Sequence, residues 1–192
     1  MSNPPTSKDA DRTPRITARR TLHAGRKFDF ELLTVRQNGR ETQREVVRHP
    51  GAIVVVPVLA DGGIVLIRNQ RVALGGESGE RLWECCAGTI EPPENPAVCA
   101  ARELIEETGY NAATLEPLGW FYTTPGLTDE RMHAFIAKGL SHVGQELEDD
   151  ESIIVEAVPF RRVLDMIDSG DLRDAKSMLA ILLAQRKGHL PG

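Results

Sequence analysis

The chain is 192 residues long, 41% hydrophobic and 27% charged. That composition excludes fibrous and wholly disordered proteins and fits one globular domain with a small appended element. A formal net charge of -5 lacks the basic excess of a nucleic-acid binder, so no nucleic-acid partner is expected, although small phosphorylated ligands stay open. The longest apolar run near the C-terminus, residues 178–184, is far too short to cross a bilayer, so no membrane partner is expected either.

In chain order, residues 1–15 are polar, lack the apolar core of a signal peptide and are expected to form a disordered tail. Residues 16–49 alternate and turn like antiparallel strands. Phe28, Phe30, Leu32 and Val35 fall in one strand, Asn38-Gly39 makes a hairpin turn, and 41–48 return. Pro50-Gly51 marks the boundary to a main domain over 50–187, with 188–192 as a C-terminal tail. Its first strand, 52–59, is apolar throughout, as in a strand covered on both faces. Asp61-Gly62-Gly63 turns the chain, and 64–68 return. A glycine-rich loop, 72–80, follows, and with no phosphate-loop lysine it is assigned no nucleotide role. A short strand is predicted around Trp83, then a loop at 88–94, a helix over 95–108, and strands near 115–124, 131–138 and 152–158. Helices near 160–168 and 174–186 close the chain, with Leu164, Ile167, Leu179, Leu182 and Leu183 as their apolar faces. This order predicts an α/β sandwich over a mixed sheet, preceded by a small antiparallel β segment. Cys85, Cys86 and Cys99 include no zinc-type pair of pairs and are expected as buried, reduced thiols in a cytoplasmic protein.

The most informative stretch is 88–110, GTIEPPENPAVCAARELIEETGY. Gly88 is followed after five residues by Glu94, and after seven more by Arg102-Glu103-Leu104-Ile105-Glu106-Glu107-Thr108-Gly109-Tyr110. Asn95 suits a helix N-cap, Pro96 the first helical position and Gly109 the stop. Residues three and four apart share a helix face, so Glu103, Glu106 and Glu107 lie within roughly 100° of arc. Val98, Ala101, Leu104 and Ile105 are expected opposite them, against the core. Like charges at this spacing repel unless something neutralises them. Arg102 pairs with Glu106 but cannot neutralise the whole cluster. A hard divalent cation can, because Mg²⁺ and Mn²⁺ prefer carboxylate oxygens and water. A purely solvated acidic face would explain a lone Glu-Glu pair, but not the cap signals and glycine frame around this one.

Every defining position of this stretch matches the Nudix box, and the chain resembles the Nudix hydrolases, which cleave nucleoside diphosphates linked to another moiety. The resemblance covers most of 17–185 and implies the α/β/α Nudix sandwich over a mixed sheet. The flanks are similar to the ADP-ribose pyrophosphatase branch. Arg68 and Arg71 stand at the strand end where that branch carries arginines, and an arginine fork suits a diphosphate. Pro125, 16 residues after Gly109, and Glu130 just beyond it also fit this branch. Where relatives commonly read Leu-Pro-Ala-Gly, this chain has Cys85-Cys86-Ala87-Gly88. Gln70 stands where an aromatic residue is frequent, which leaves Phe28 or Phe30 to stack on a base.

The resemblance implies a metal held by Glu103, Glu107 and the Ala87 carbonyl, with Glu106 sharing in ligation and Arg102 orienting the carboxylates. Glu94 is expected to order the loop. A carboxylate from the acidic loop 146–151, Glu151 first and Asp149 second, would take a proton from water. Arg68, Arg71, Phe28, Pro125 and Glu130 are the implied substrate contacts. The substrate would be ADP-ribose or another nucleoside diphosphate sugar, GDP-mannose being the main competitor, with Mg²⁺ as cofactor and Mn²⁺ able to substitute. A catalytically silent nucleotide-binding regulator is the non-enzyme alternative. The N-terminal β segment would make a homodimer, since a lone hairpin is marginal in water.

Overall fold

The computed structural model describes residues 12–75, 77, 79–147 and 152–192. The chain divides into two compact units. One runs to Pro50 and adds Tyr122–Glu130, and the other comprises Gly51–Phe121 and Arg131–Gly192.

The first unit is built on a three-stranded antiparallel sheet of β1 (Arg15–Ala24), β2 (Asp29–Gln37) and β3 (Arg40–Arg48), in the order β1-β2-β3. Asn38 and Gly39 both take positive φ, 51° and 71°, the conformation of a two-residue hairpin turn whose twist matches its strands. Phe28, expected within a strand, instead precedes β2, and its carbonyl accepts from Gly25 N–H at 3.0 Å. The segment after Tyr122 is tied to β3. Leu127 accepts from Val47 N–H at 2.9 Å, and Thr128 forms a parallel bridge with Val47.

In the second unit, β4 (Ala52–Pro57) is buried along its whole length. Side chains alternate across a strand. Ala52, Val54 and Val56 therefore enter one core with Ile136, Val163, Ala180, Ile181 and Ala184, while Ile53 and Val55 enter another with Cys99, Ala100, Leu104 and Phe135. Each fully buried Val or Ile contributes roughly 1.5–3 kcal/mol. β4 is central in a sheet of order β7-β4-β9-β8, with β7 (Ala87–Thr89), β8 (Tyr110–Tyr122) and β9 (Arg131–His142). It runs antiparallel to β7 and parallel to β9, so the sheet is mixed. A second sheet, β10-β5-β6, joins β5 (Ile64–Arg71), β6 (Glu80–Glu84) and β10 (Ile153–Val158) in antiparallel pairs.

The helices among the described residues are α1 (Pro96–Thr108), α2 (Phe160–Ser169) and α3 (Ala175–Arg186). α1 and α3 cover opposite faces of β4, which gives the expected α/β/α sandwich. Two apolar faces differ from the sequence expectation. On α1 the buried residues are Cys99, Ala100, Leu104, Glu107 and Thr108, whereas Val98 is 60% exposed and Ala101 also faces outward. On α3, Ser177, Ala180, Ile181 and Ala184 are buried, and Leu179 and Leu182 are exposed. In both cases small side chains share the inner face with a bulky one, Leu104 on α1 and Ile181 on α3, while Val98, Leu179 and Leu182 stay exposed. None of the helices is long and apolar enough to cross a membrane.

Candidate active site

The local chemistry of α1 sets the frame of the site. Asn95 caps the helix by accepting from Ala97 N–H at 2.9 Å, and Pro96 occupies the first turn. Gly109 ends it in the left-handed region at φ 73°. A Cβ on Gly109 would also lie 2.9 Å from the backbone of Gly144 and Gln145, so only glycine admits this close approach.

The acidic face of α1 is not uniformly solvated. Glu107 is only 3% exposed, and its Oε2 accepts from Ala87 N–H at 2.8 Å. Glu103 lies against the next residue of β7, where a Cβ on Gly88 would come within 2.0 Å of its carboxyl carbon. The two carboxylates four residues apart thus meet the backbone of 87–88, and Gly88 is the gap that admits one of them. A solvated charge run accounts for neither feature.

Arg102 organises the remaining acids. It forks onto Glu94 through Nε at 3.0 Å and Nη2 at 3.1 Å, and its Nη1 reaches Glu103 at 2.9 Å and Glu106 at 2.7 Å. These bonds, the one to Glu94 foremost, hold the guanidinium pKa well above its ordinary value. The same fork holds Glu94 below the usual carboxylate range. Glu94 also accepts from Glu91 N–H at 3.3 Å, as expected of a residue that orders the loop. Arg102 draws Glu94, Glu103 and Glu106 toward itself, and among the described residues no three His, Cys, Asp or Glu side chains form a ready-made metal cluster.

That arrangement still suits a hard cation. Mg²⁺ keeps several waters and is commonly held by one or two carboxylates together with substrate phosphates. Glu103 and Glu107 beside the 87–88 backbone are a donor set of that kind, all oxygen. The neighbouring thiols contribute no competing ligand. Cys85, Cys86 and Cys99 are free and buried, and burial, the largest cause, pushes the Cys85 thiol up to about 12 and Cys86 well above its ordinary value.

Arg68 and Arg71 differ in their surroundings. Arg68 lies over the Trp83 ring at 5.3 Å and 3.7 Å from Glu156. Arg71 forks onto the buried Glu84, Nε to Oε1 at 2.7 Å and Nη2 to Oε2 at 2.6 Å, an ion pair that the sequence did not suggest. In the first unit, Phe28 stacks on His49 with ring centroids 4.5 Å apart, and the imidazole Nε2 lies 3.4 Å from Glu130. Glu130 also accepts from the Thr123 hydroxyl. Pro125 is exposed in a turn closed by Leu127 N–H donating to Thr124 O at 2.9 Å.

The acidic-loop residues Glu151 and Asp149 lie outside the described residues. The segment leading to them is described, and it is bound to the end of α1. Val143 N–H donates to Gly109 O at 2.7 Å, Glu146 N–H to Glu106 O at 3.1 Å, and the Gln145 amide to Glu107 O at 2.7 Å. Gln145 was not singled out from the sequence, and only its partner across 38 residues gives it meaning. An open cavity of about 410 Å³, lined by residues such as Leu59, Phe160, Leu164 and Pro191, contains none of the box residues and is no part of this site.

Comparison with known proteins agrees with this geometry. The NUDIX domain family model matches residues 47–181. The chain is 37% identical over 174 residues to an ADP-ribose pyrophosphatase of Bacillus subtilis (strain 168), covering 88% of this chain and 91% of that protein. It is also 37% identical over 167 residues to a GDP-mannose pyrophosphatase of Shigella flexneri serotype 5b (strain 8401), covering 79% and 86%. A crystal structure of an ADP compounds hydrolase superposes with a TM-score of 0.77 at 26% identity, over 92% of this chain and 95% of that one. The chain belongs to the Nudix hydrolase superfamily.

Proposed function

We propose that the chain hydrolyses the pyrophosphate of ADP-ribose to AMP and ribose 5-phosphate. A divalent cation, Mg²⁺ or Mn²⁺ in its place, would be held by Glu103, Glu107 and the Ala87 carbonyl, with Glu106 sharing in ligation. The observation that carries this reading is the pair of glutamates brought to the 87–88 backbone, one of them buried. When bound, the cation neutralises diphosphate charge and makes a coordinated water more acidic.

The chain's own residues do the rest. Arg102 holds Glu103 and Glu106 from behind and keeps the acidic face in register. Segment 143–146 is hydrogen-bonded to the end of α1, and Glu151 and Asp149, later in the sequence, are the proposed proton acceptors. In the step itself a water oxygen bonds to one phosphorus, the bond from that phosphorus to the bridging oxygen breaks, and the second phosphate leaves with the electron pair. The water proton passes to the loop carboxylate. Arg68 and Arg71 are the proposed diphosphate contacts, and Phe28, Pro125 and Glu130 the proposed nucleoside or sugar contacts. The meeting of Phe28 and Glu130 at His49 supports treating these two as one cluster.

GDP-mannose is the second reading, supported by an equal identity to a GDP-mannose pyrophosphatase. The two are separated by coupling a monophosphate-specific phosphatase to turnover of a sugar-nucleotide panel, with Mg²⁺ and then Mn²⁺. ADP-ribose is expected to show the highest kcat/KM. A tenfold preference for GDP-mannose or for a nucleoside triphosphate overturns that reading. Metal-dependent binding without turnover of any substrate would identify a silent regulator instead. The three free, buried thiols support a reducing compartment, the cytoplasm.

A further inference from the structure

The buried acid Glu84 belongs to no part of the Nudix box, yet its side chain is 1% exposed and carries two cations. Both of its oxygens are taken by the Arg71 fork, and Oε2 is shared with Lys176 Nζ. Lys176 is itself 15% exposed and bonds at 3.0 Å to Asp174, the N-cap of α3, whose carboxylate also accepts from Ser177 N–H at 3.0 Å. Two cations and two anions thus balance in a network that ties β5, β6 and α3 together.

Stability alone is a weak reason for such a network, because a buried ion pair replaced by apolar side chains of similar volume is often no less stable. Its geometry is lopsided in a way that packing does not require. The Arg71 side chain is 40% exposed while its partner is sealed. The fork uses Nε and Nη2, and Nη1 takes no part in it. Arg71 also lies within electrostatic reach of Glu107, whose charge adds to those that raise its pKa, after the Glu84 bond. One edge of the guanidinium is therefore fixed to the buried Glu84, within electrostatic reach of the glutamate proposed to hold the cation.

We propose that Glu84 and Lys176 are positioning residues that clamp the rear of Arg71, so that its exposed edge meets the diphosphate already oriented. Lys176 pins Glu84 Oε2 from the α3 side and stops the carboxylate from swinging with the arginine. A guanidinium held in this way loses less freedom when it grips an anion than a solvated one does. The inference rests on the proposed diphosphate substrate. It places the contribution of Glu84 in substrate capture, with the chemical step left to the box.

Steady-state kinetics of the full-length protein with ADP-ribose test it, for wild type, Glu84→Gln, Arg71→Gln and the double variant. Absence of turnover by the wild type would refute the proposed function itself, and the other outcomes bear on the clamp. Glu84→Gln is expected to raise KM about tenfold with kcat changed less than twofold. In the Arg71→Gln background it should add no further increase, since Glu84 acts only through Arg71. Lys176→Gln should raise KM in the same direction, and Lys176→Arg should restore it. A purely structural role would instead lower kcat with the folded fraction and leave KM alone, and that pattern overturns the proposal. So do multiplicative effects of Glu84→Gln and Arg71→Gln on KM. If Glu84→Gln does not fold, the Lys176 pair decides the question. Failure of both glutamine variants to fold assigns the network to stability and also overturns the proposal.

Discussion

Glu103, Glu106 and Glu107 share a charge and a helix face, but their surroundings separate them. Glu106 pairs with Arg102 at the edge, Glu103 is wedged over Gly88, and Glu107 is buried with one oxygen on Ala87 N–H. Burying a carboxylate is costly, and positive charge nearby offsets that cost. Glu107→Gln keeps the acceptor for Ala87 and nearly the same volume, so the fold should survive. It removes the charge that a divalent cation needs, and kcat should fall by about 10²-fold or more. Chelation by EDTA should bring the wild type to the same low rate. Wild-type-like turnover of Glu107→Gln at saturating Mg²⁺ would remove Glu107 from the metal site.

At the scale of elements, the site depends on how closely α1 can lie against β7, and Gly88 sets that distance. A methyl group there would meet Glu103 at 2.0 Å, well inside van der Waals contact. Gly88→Ala should therefore push the Glu103 carboxylate aside and lower kcat at least tenfold, a loss of about 1.4 kcal/mol in transition-state stabilisation. The thermal midpoint should move little by comparison, because the displaced group is a partly exposed side chain. A large loss of stability with normal specific activity of the folded fraction would show that Glu103 is not needed in place. The α1 helix was legible in the sequence because its signals are local. Asn95, Pro96 and Gly109 act within a turn of their own positions, and the four-residue spacing of Glu103 and Glu107 is a property of any helix. Glu84 and Lys176 were not legible, because they are 92 residues apart and only the fold brings them together. The inner faces of α1 and α3 were misread for a related reason. Hydrophobicity favoured Val98 and Leu179, but the fold turns Ala100 and Ala180 into the two cores and leaves those two exposed. Strand β4 was read as buried on both faces because an unbroken apolar run has no solvent-facing alternative.

For the whole molecule the open question is what covers the N-terminal sheet. All ten residues of β1 are exposed, including Ile16 at 48% and Leu22 at 40%, and Phe28 beyond it is 41% exposed. A ten-residue edge strand offers a row of unpaired backbone groups, which a second chain can pair or cover. Charged residues interrupt it, with Arg15, Arg19 and Arg20 in β1, and such residues oppose indiscriminate edge pairing. Apolar side chains among fixed charges suit one specific partner surface, and we propose a second copy of this chain as that partner. Light scattering at micromolar concentration should give twice the chain mass. Removing residues 1–47 should yield a monomer or an aggregate with little activity, since it takes away β1, β2 and nearly all of β3. Removing 1–14 should leave the dimer and its activity intact, because β1 begins at Arg15. A stable monomer of the intact chain with full activity would refute the dimer, and the exposed face of β1 would then need a different occupant.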